Sequence, residues 1–95
     1  MKVTNVKIQR IKAPKNKLLA FADVVIDDSL IICDFQIFTS VKGYFVGMPS
    51  RKMPDGSWKE TVISLDAALA DHLKGTILRV FEDEQAMLDI EAKSN

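Results

Sequence analysis

The sequence predicts an α+β fold in which a C-terminal helix packs on a small antiparallel sheet of four to five strands. Polar and apolar residues alternate through the first predicted strand, the second is rich in Ala, Val and Ile, and short turn sequences separate the strand-like stretches up to position 63. From Leu65 onward, apolar residues recur every four positions, which is the period of a helix face. The chain has 95 residues, so we expect positions 1–95 to form one domain.

The strands are expected to follow one another as a meander. Pro14 ends the first strand, because proline lacks the N–H that a central strand needs. Asp27-Asp28-Ser29 turns the second strand into the third, and Pro54-Asp55-Gly56 precedes a weaker fifth strand. Gly56 would supply the positive φ that ends a bulged hairpin. The predicted strand ranges are 2–12, 18–26, 30–38, 44–48 and 58–63.

The helix is predicted over about 65–82. Ser64 is its predicted N-cap, and Asp66 in the first turn suits the helix dipole. Beyond residue 82, Met87, Leu88 and Ile90 either continue the helix to 91 or form a second short helix, and both alternatives stay open. The apolar stripe that should face the sheet consists of Leu65, Leu69, Leu73, Ile77 and Phe81.

The formal net charge is zero, which argues against strong nonspecific nucleic-acid binding. The charges are nevertheless unevenly distributed: positions 1–17 carry six basic and no acidic side chains, whereas positions 60–95 carry eight acidic and three basic ones. This asymmetry predicts either a basic face or an attraction between the two regions, within one subunit or across a dimer.

Several classes of protein are disfavoured. No apolar run approaches the roughly 20 residues of a membrane span, and the N-terminus lacks the apolar segment of a signal peptide. The single cysteine, Cys33, predicts a reduced, half-buried thiol, so we expect a cytoplasmic protein. His72 is the only histidine, and neither it nor Asp27-Asp28 belongs to a catalytic or metal-binding motif. We therefore expect no enzyme, cofactor, metal or small-molecule substrate.

Basic residues at the Pro-Asp-Gly hairpin indicate a nucleic-acid site. Their side chains, with a neighbouring hydroxyl and free N–H groups, could contact phosphates, whereas the more ordinary interpretation is a solvated strand edge. Tyr44 and Trp58 could stack on unpaired bases, although a tryptophan beside a turn more often covers the core. The first strand adds two basic residues that a two-residue period would place on one face. The candidate site residues are Ser50, Arg51, Lys52, Lys59, Arg10 and Lys12.

The segment Gly43–Glu60 contains Phe-Val-Gly-Met-Pro-Ser-Arg-Lys followed by Pro-Asp-Gly, and it resembles the motif of the SpoVG family. The start Met1–Ile8 is similar to the start of that family, and Asp23–Phe38 is similar to its second and third strands, with Asp34 at a recurrent acidic position. The resemblance continues to about Phe81. It implies a small bacterial regulator of septation, sporulation and gene expression that binds DNA or RNA as a homodimer.

The chain departs from that family where the helix begins. Ala70, Asp71 and His72 stand at the positions that match the family's Arg-Gly-Lys, so two firm positive charges are missing and a negative one is added. This difference would weaken any phosphate contact made by the helix. Two functions therefore remain from sequence: a nucleic-acid-binding homodimer that acts mainly through Arg51 and Lys52, or a protein-interaction adaptor that has lost nucleic-acid binding.

Overall fold

A computed structural model of the chain describes residues 1–93, which form six strands and one helix. The strands are β1 (Val3–Arg10), β2 (Leu18–Ile26), β3 (Leu30–Ser40), β4 (Gly43–Gly47), β5 (Ser50–Lys52) and β6 (Trp58–Glu60). The helix α1 spans Ala67–Lys93. The predicted α+β class, with an antiparallel sheet and a C-terminal helix, is confirmed.

The first four strands form one antiparallel sheet in the order β1-β2-β3-β4. The meander therefore has four strands, the lower of the two predicted numbers: β6 pairs with β5, which sequence patterning did not predict, in a separate two-stranded sheet. Pro49 separates β4 from β5 and cannot donate a ladder hydrogen bond, so the first sheet ends before it. The remaining strand ranges differ from the prediction by a few terminal residues, the usual uncertainty at strand ends.

One face of the sheet and one face of the helix enclose the core. Alternate residues of β2 point into it, as a half-buried strand requires. From the helix, the apolar stripe contributes Leu73, Ile77 and Phe81, whereas Leu65 precedes the helix and is fully exposed. The buried apolar residues are Ala20, Ala22, Val24, Ile26, Phe35, Ile37, Val46, Met48, Leu73, Ile77 and Phe81.

Phe81 connects the helix to both edges of the sheet. Its ring, which is fully buried, packs edge-on against Tyr44 of β4 with the ring centroids 4.9 Å apart. On its other side, the guanidinium carbon of Arg10 on β1 lies 4.3 Å from the centroid of the Phe81 ring. Arg10 Nε also forms an ion pair with Glu84 Oε1 at 2.6 Å, and Arg10 Nη1 donates to Gln85 Oε1 at 2.7 Å. Helix and sheet are thus joined by apolar burial and by charge.

The helix begins later than the sequence predicts. Asp66 Oδ1 accepts a hydrogen bond from the N–H of Ala68 at 2.9 Å, so Asp66 is the N-cap and not Ser64. Ser64 Oγ instead accepts from the N–H of Asp66 at 3.2 Å, forming a turn before the helix. At the other end, the alternatives left open from sequence resolve in favour of one continuous helix to Lys93.

A distortion of β3 brings Cys33 to the surface, so the expected half-burial of this thiol was wrong. The pairing of β2 with β3 shifts register between Ala22 and Val24, and Asp34 adopts a φ of 70°. The N–H of Asp34 donates to Asp23 Oδ1 at 3.1 Å, which holds this bulge. Partial desolvation and the carboxylates of Asp23 and Asp34 raise the pKa of the Cys33 thiol, so its reactive thiolate form is disfavoured.

Replacing Phe81 by alanine should lower the free energy of unfolding by about 3–5 kcal/mol, because a cavity would open between β1, β4 and α1. Urea denaturation followed by circular dichroism measures this decrease. The control is Ile63→Ala, since Ile63 is 65% exposed and its truncation should change stability by no more than about 0.5 kcal/mol. Equal decreases for the two variants would contradict the central role of Phe81.

Two alanine substitutions test whether Asp66 or Ser64 is the N-cap of α1. Asp66→Ala should cost about 1 kcal/mol, because the N–H of Ala68 loses its acceptor at the start of the helix. Ser64→Ala should cost less, because Ser64 contacts only the turn. Thermal unfolding of both variants measures the difference, and a larger destabilisation by Ser64→Ala would show that the helix begins where the sequence alone predicts.

Candidate nucleic-acid interface

The hairpin from Ser50 to Glu60, named here the basic ribbon, carries four of the six predicted site residues. Its two strands pair with Ser50 opposite Glu60, Arg51 opposite Lys59 and Lys52 opposite Trp58. Paired residues of antiparallel strands project on the same side of the ribbon. Arg51 and Lys59 therefore lie on one face, whereas Ser50, Lys52, Trp58 and Glu60 lie on the other.

The turn of the basic ribbon has the geometry that its sequence predicts. Gly56 adopts a φ of 89°, and its N–H donates to the carbonyl of Met53 at 2.9 Å. Asp55 Oδ1 accepts from the hydroxyl of Ser57 at 2.6 Å and from its N–H at 2.9 Å. These hydrogen bonds hold the pKa of Asp55 below its usual value, the hydroxyl making the larger contribution. The Asp55 carboxylate is thus occupied within the turn.

The base of the basic ribbon is attached to the core. Met48 and Pro49, which lead into it from β4, are both buried. The carbonyl of Pro49 accepts hydrogen bonds from the N–H of Thr61 at 2.8 Å and from its hydroxyl at 3.2 Å. Both ends of the hairpin are therefore fixed to each other and to buried residues, so its basic side chains project from a defined backbone.

The cations of the basic ribbon are exposed and unneutralised. Arg51, Lys52 and Lys59 all lie at the surface. Arg10 forms an ion pair with Glu84, whereas none of these three cations forms one with a residue in the described range 1–93. Glu60 is the acidic residue nearest along the strand, but it pairs opposite Ser50 and lies on the other face from Arg51 and Lys59. Arg51 and Lys59 thus form an uninterrupted basic face.

The structure places Arg10 away from the basic ribbon and Lys12 outside β1. Arg10 lies at the end of β1, on the opposite edge of the sheet from β4, and its guanidinium is engaged by Glu84 and Phe81. Lys12 is exposed in the loop after β1, because the strand ends at Arg10 and not at residue 12 as predicted. The two-residue period that would align their side chains therefore does not extend to Lys12.

The two aromatic candidates lie in different surroundings. Tyr44 is half-buried and packs against Phe81 at the core, so it is not the surface stacking group considered from sequence. Trp58, for which core coverage was the more ordinary interpretation, is 64% exposed. It borders a groove of about 550 Å³ whose lining also includes Phe38 and Leu18. The sequence analysis did not predict this groove. The one indication of it is that two large apolar residues, Leu18 and Phe38, pair across β2 and β3, and this pairing is known only from the structure.

The start of the helix carries none of the basic residues that the resemblance led us to seek there. Asp71 and His72 are exposed, and Ala70 is half-buried. His72 thus lies on the surface of α1. The neighbouring Asp66 caps the helix, which adds another carboxylate at this end. Apart from Lys12, the exposed cations of the predicted site therefore lie on the basic ribbon.

Residues 1–93 do not form a metal-binding cluster. In that part of the chain, no three or more His, Cys, Asp or Glu side chains gather in an arrangement that could hold a metal ion. Nor does α1, the helix described there, combine the length and apolar character needed to cross a membrane.

Comparison with known proteins assigns the chain to a family. The SpoVG family model matches residues 1–83. A protein of Fusobacterium nucleatum that carries the name septation protein SpoVG is 36% identical over 95 residues, covering 99% of this chain and 98% of that protein. A protein of Treponema denticola with the same name is 30% identical over 93 residues, covering 98% and 99%. The chain therefore belongs to the SpoVG family, as the motif ending in Ser50-Arg51-Lys52 predicted.

Proposed function

We propose that this protein is a cytoplasmic regulator of the SpoVG type that binds DNA or RNA through its basic ribbon and acts as a homodimer. The observation that carries the proposal is the set of three exposed cations, Arg51, Lys52 and Lys59, none of which is paired with a carboxylate among the described residues. They stand on a hairpin fixed to the core by hydrogen bonds to Pro49. Surface cations that only prevent aggregation do not require such fixed placement.

The proposed mechanism is electrostatic contact with phosphates. Arg51 can donate two parallel hydrogen bonds to one phosphate, and Lys59 on the same face adds a point charge beside it. Contacts of this kind fix position without reading sequence. Arg10 is not carried into the proposal, because its guanidinium is committed to Glu84 and Phe81. Lys12, exposed in its loop, could extend the track across a dimer.

The homodimer is proposed from two features of the sheet. β1 and β4 are edge strands, so their outward N–H and C=O groups can recruit a second chain. Large apolar side chains are also exposed beside these edges, including Phe45 on β4 at 48%. A chain of 95 residues buries a modest fraction of its surface, so association would complete its apolar burial.

A protein-interaction adaptor is the second candidate, favoured by the last turns of α1. Met87 and Ile90 are 58% and 61% exposed, and they lie among acidic residues at the end of the helix. Apolar side chains within an acidic surface suit a protein partner better than a nucleic acid. On this alternative, the basic ribbon would have no measurable affinity for nucleic acid.

Reversing both charges of the Arg51-Lys59 face should weaken nucleic-acid binding at least about tenfold in moderate salt, because two attractions to phosphate become repulsive. The variant R51E/K59E is compared with the unaltered protein by fluorescence anisotropy, using duplex DNA, single-stranded DNA and RNA at several salt concentrations. The slope of log affinity against log salt should fall in magnitude by about 0.7–0.9 for each phosphate that the variant no longer neutralises.

The matched control is K2E/K42E, which makes the same change in net charge at two exposed lysines outside the basic ribbon. An equal weakening in this control would attribute binding to overall charge and remove the ribbon from the mechanism. Absence of binding to all three nucleic acids at low salt would favour the adaptor.

Sedimentation equilibrium tests the homodimer. The expected mass is twice the 10.6 kDa of the chain at micromolar concentration. A mass of 10.6 kDa across that range would contradict the dimer while leaving the basic ribbon available as a monomeric site.

A further inference from the structure

The groove beside the basic ribbon lies on the face of the sheet that α1 does not cover. It is bounded by residues of the loop before β2, by β2, by β3 and by the ribbon face that carries Trp58. Its volume of about 550 Å³ falls within the range of small-molecule sites, roughly 300–1,000 Å³. The lining residues are Asn16, Lys17, Leu18, Gln36, Phe38, Ser50 and Trp58.

Phe38 gives the groove a fixed aromatic surface. Its ring stacks on Phe45 with the centroids 5.0 Å apart and the planes 19° from parallel. It also lies against Gly47, where an added Cβ would be 3.3 Å from Phe38 Cε2. The absence of a side chain at Gly47 therefore lets the ring lie close to β4. Trp58, 64% exposed, provides a second aromatic surface from the basic ribbon.

Polar groups complete the groove in a pattern that suits a nucleobase. Gln36 and Ser50 can both donate and accept hydrogen bonds at its lining. Asn16 uses Oδ1 to accept from the N–H of Leu18 at 2.9 Å, which fixes the direction of its amide. Aromatic rings bordered by amide groups and a hydroxyl can bind a planar ligand that has hydrogen-bond donors and acceptors at its edge.

Two cations are positioned to take the phosphate attached to such a base. Lys17 lines the groove, and its backbone carbonyl accepts from the N–H of Thr39 at 2.9 Å, which attaches it to β3. Lys52 pairs opposite Trp58 and so lies on the groove side of the basic ribbon. Glu60 is also on this side, opposite Ser50, which lines the groove, so the phosphates are expected to lie at the Lys52 end and away from the Glu60 carboxylate.

We propose that this groove accepts an unpaired nucleobase, stacked on Trp58 and Phe38, while Lys17 and Lys52 contact the adjacent phosphates. The inference rests on the proposed function and makes it more specific. A base inside a duplex is stacked on both sides and cannot enter the groove, so the groove selects single strands. A single strand and a free nucleotide offer the same chemistry, and competition between them distinguishes the two ligands.

Three fluorescently labelled probes of equal length and charge per strand test the proposal: oligothymidylate, an abasic strand with the same sugar-phosphate backbone, and a duplex. Oligothymidylate should bind at least about fivefold more tightly than the abasic strand, since each stacked base adds measurable affinity. Trp58 is the only tryptophan of the chain, so its intrinsic fluorescence should be quenched by oligothymidylate and not by the abasic strand.

Substitutions at position 58 test whether the tighter binding of oligothymidylate than of the abasic strand depends on the groove. Trp58→Ala should bring oligothymidylate affinity down to that of the abasic strand and leave abasic binding unchanged, whereas Trp58→Phe should retain most of the preference. Because Trp58 is exposed, these variants are expected to fold. Leu65→Ala, a change at another exposed apolar residue outside the groove, should behave like the unaltered protein.

The outcomes separate this inference from the proposed function. Equal binding of oligothymidylate and abasic strand, with unchanged Trp58 fluorescence, overturns the nucleobase groove and leaves the phosphate-binding ribbon intact. Binding of none of the probes overturns both. If acrylamide does not quench the fluorescence of Trp58 in the assembled protein, the groove proposal is also overturned, because a second copy of the chain would then cover the groove. If thymidine monophosphate displaces oligothymidylate, the groove is supported and a free nucleotide is a sufficient ligand. If it does not, while oligothymidylate still binds more tightly than the abasic strand, the groove is a site for a nucleic-acid strand.

Discussion

The fold depends on how a single helix is held across an open sheet, and Phe81 is the residue at which this happens. Its ring contacts Tyr44 from one edge strand and Arg10 from the other, so the two ends of the meander are fixed relative to one helix turn. The adjacent Glu84 neutralises Arg10, which allows a guanidinium to stand at the margin of an apolar core. Fixing β4 in this way also fixes the point from which the basic ribbon departs.

The basic ribbon and the groove are consequences of the same stretch of chain. Val46 and Met48 face the core, while Gly47 between them leaves room for Phe38 on the opposite face. Pro49 then ends the sheet and accepts the hydrogen bonds that close the ribbon. The Gly-Met-Pro-Ser-Arg-Lys motif by which the family is recognised thus has a structural reason for each of its first three positions, and its last two are available for binding.

Local patterns predicted a large part of this structure. The Ala, Val and Ile content of β2, the turn at Gly56 and the four-residue period from Leu69 to Phe81 are all properties of short segments, and the structure agrees with each. The features that the sequence did not predict depend on contacts between residues far apart in the chain. Arg10 looked like a free cation on a strand, but its partner Glu84 is 74 positions away. The strand at Ser50–Lys52 is too short to show alternation, and the choice of Asp66 over Ser64 as cap depends on the turn that precedes the helix. The groove lies between elements and has no sequence period at all.

Because the whole chain has zero formal net charge, the electrostatic attraction of the basic ribbon for a polyanion acts only at short range. At physiological ionic strength, charges separated by more than about 8 Å are largely screened, so a distant polyanion meets a protein without net attraction. Electrostatic steering, which accelerates association of strongly charged proteins, is therefore weak here. Encounters would occur at the ordinary rate for oriented docking, and the local cations would act after contact by slowing dissociation. On the proposed function, retention at a surface would therefore depend on how well the hairpin fits and not on the rate of encounter.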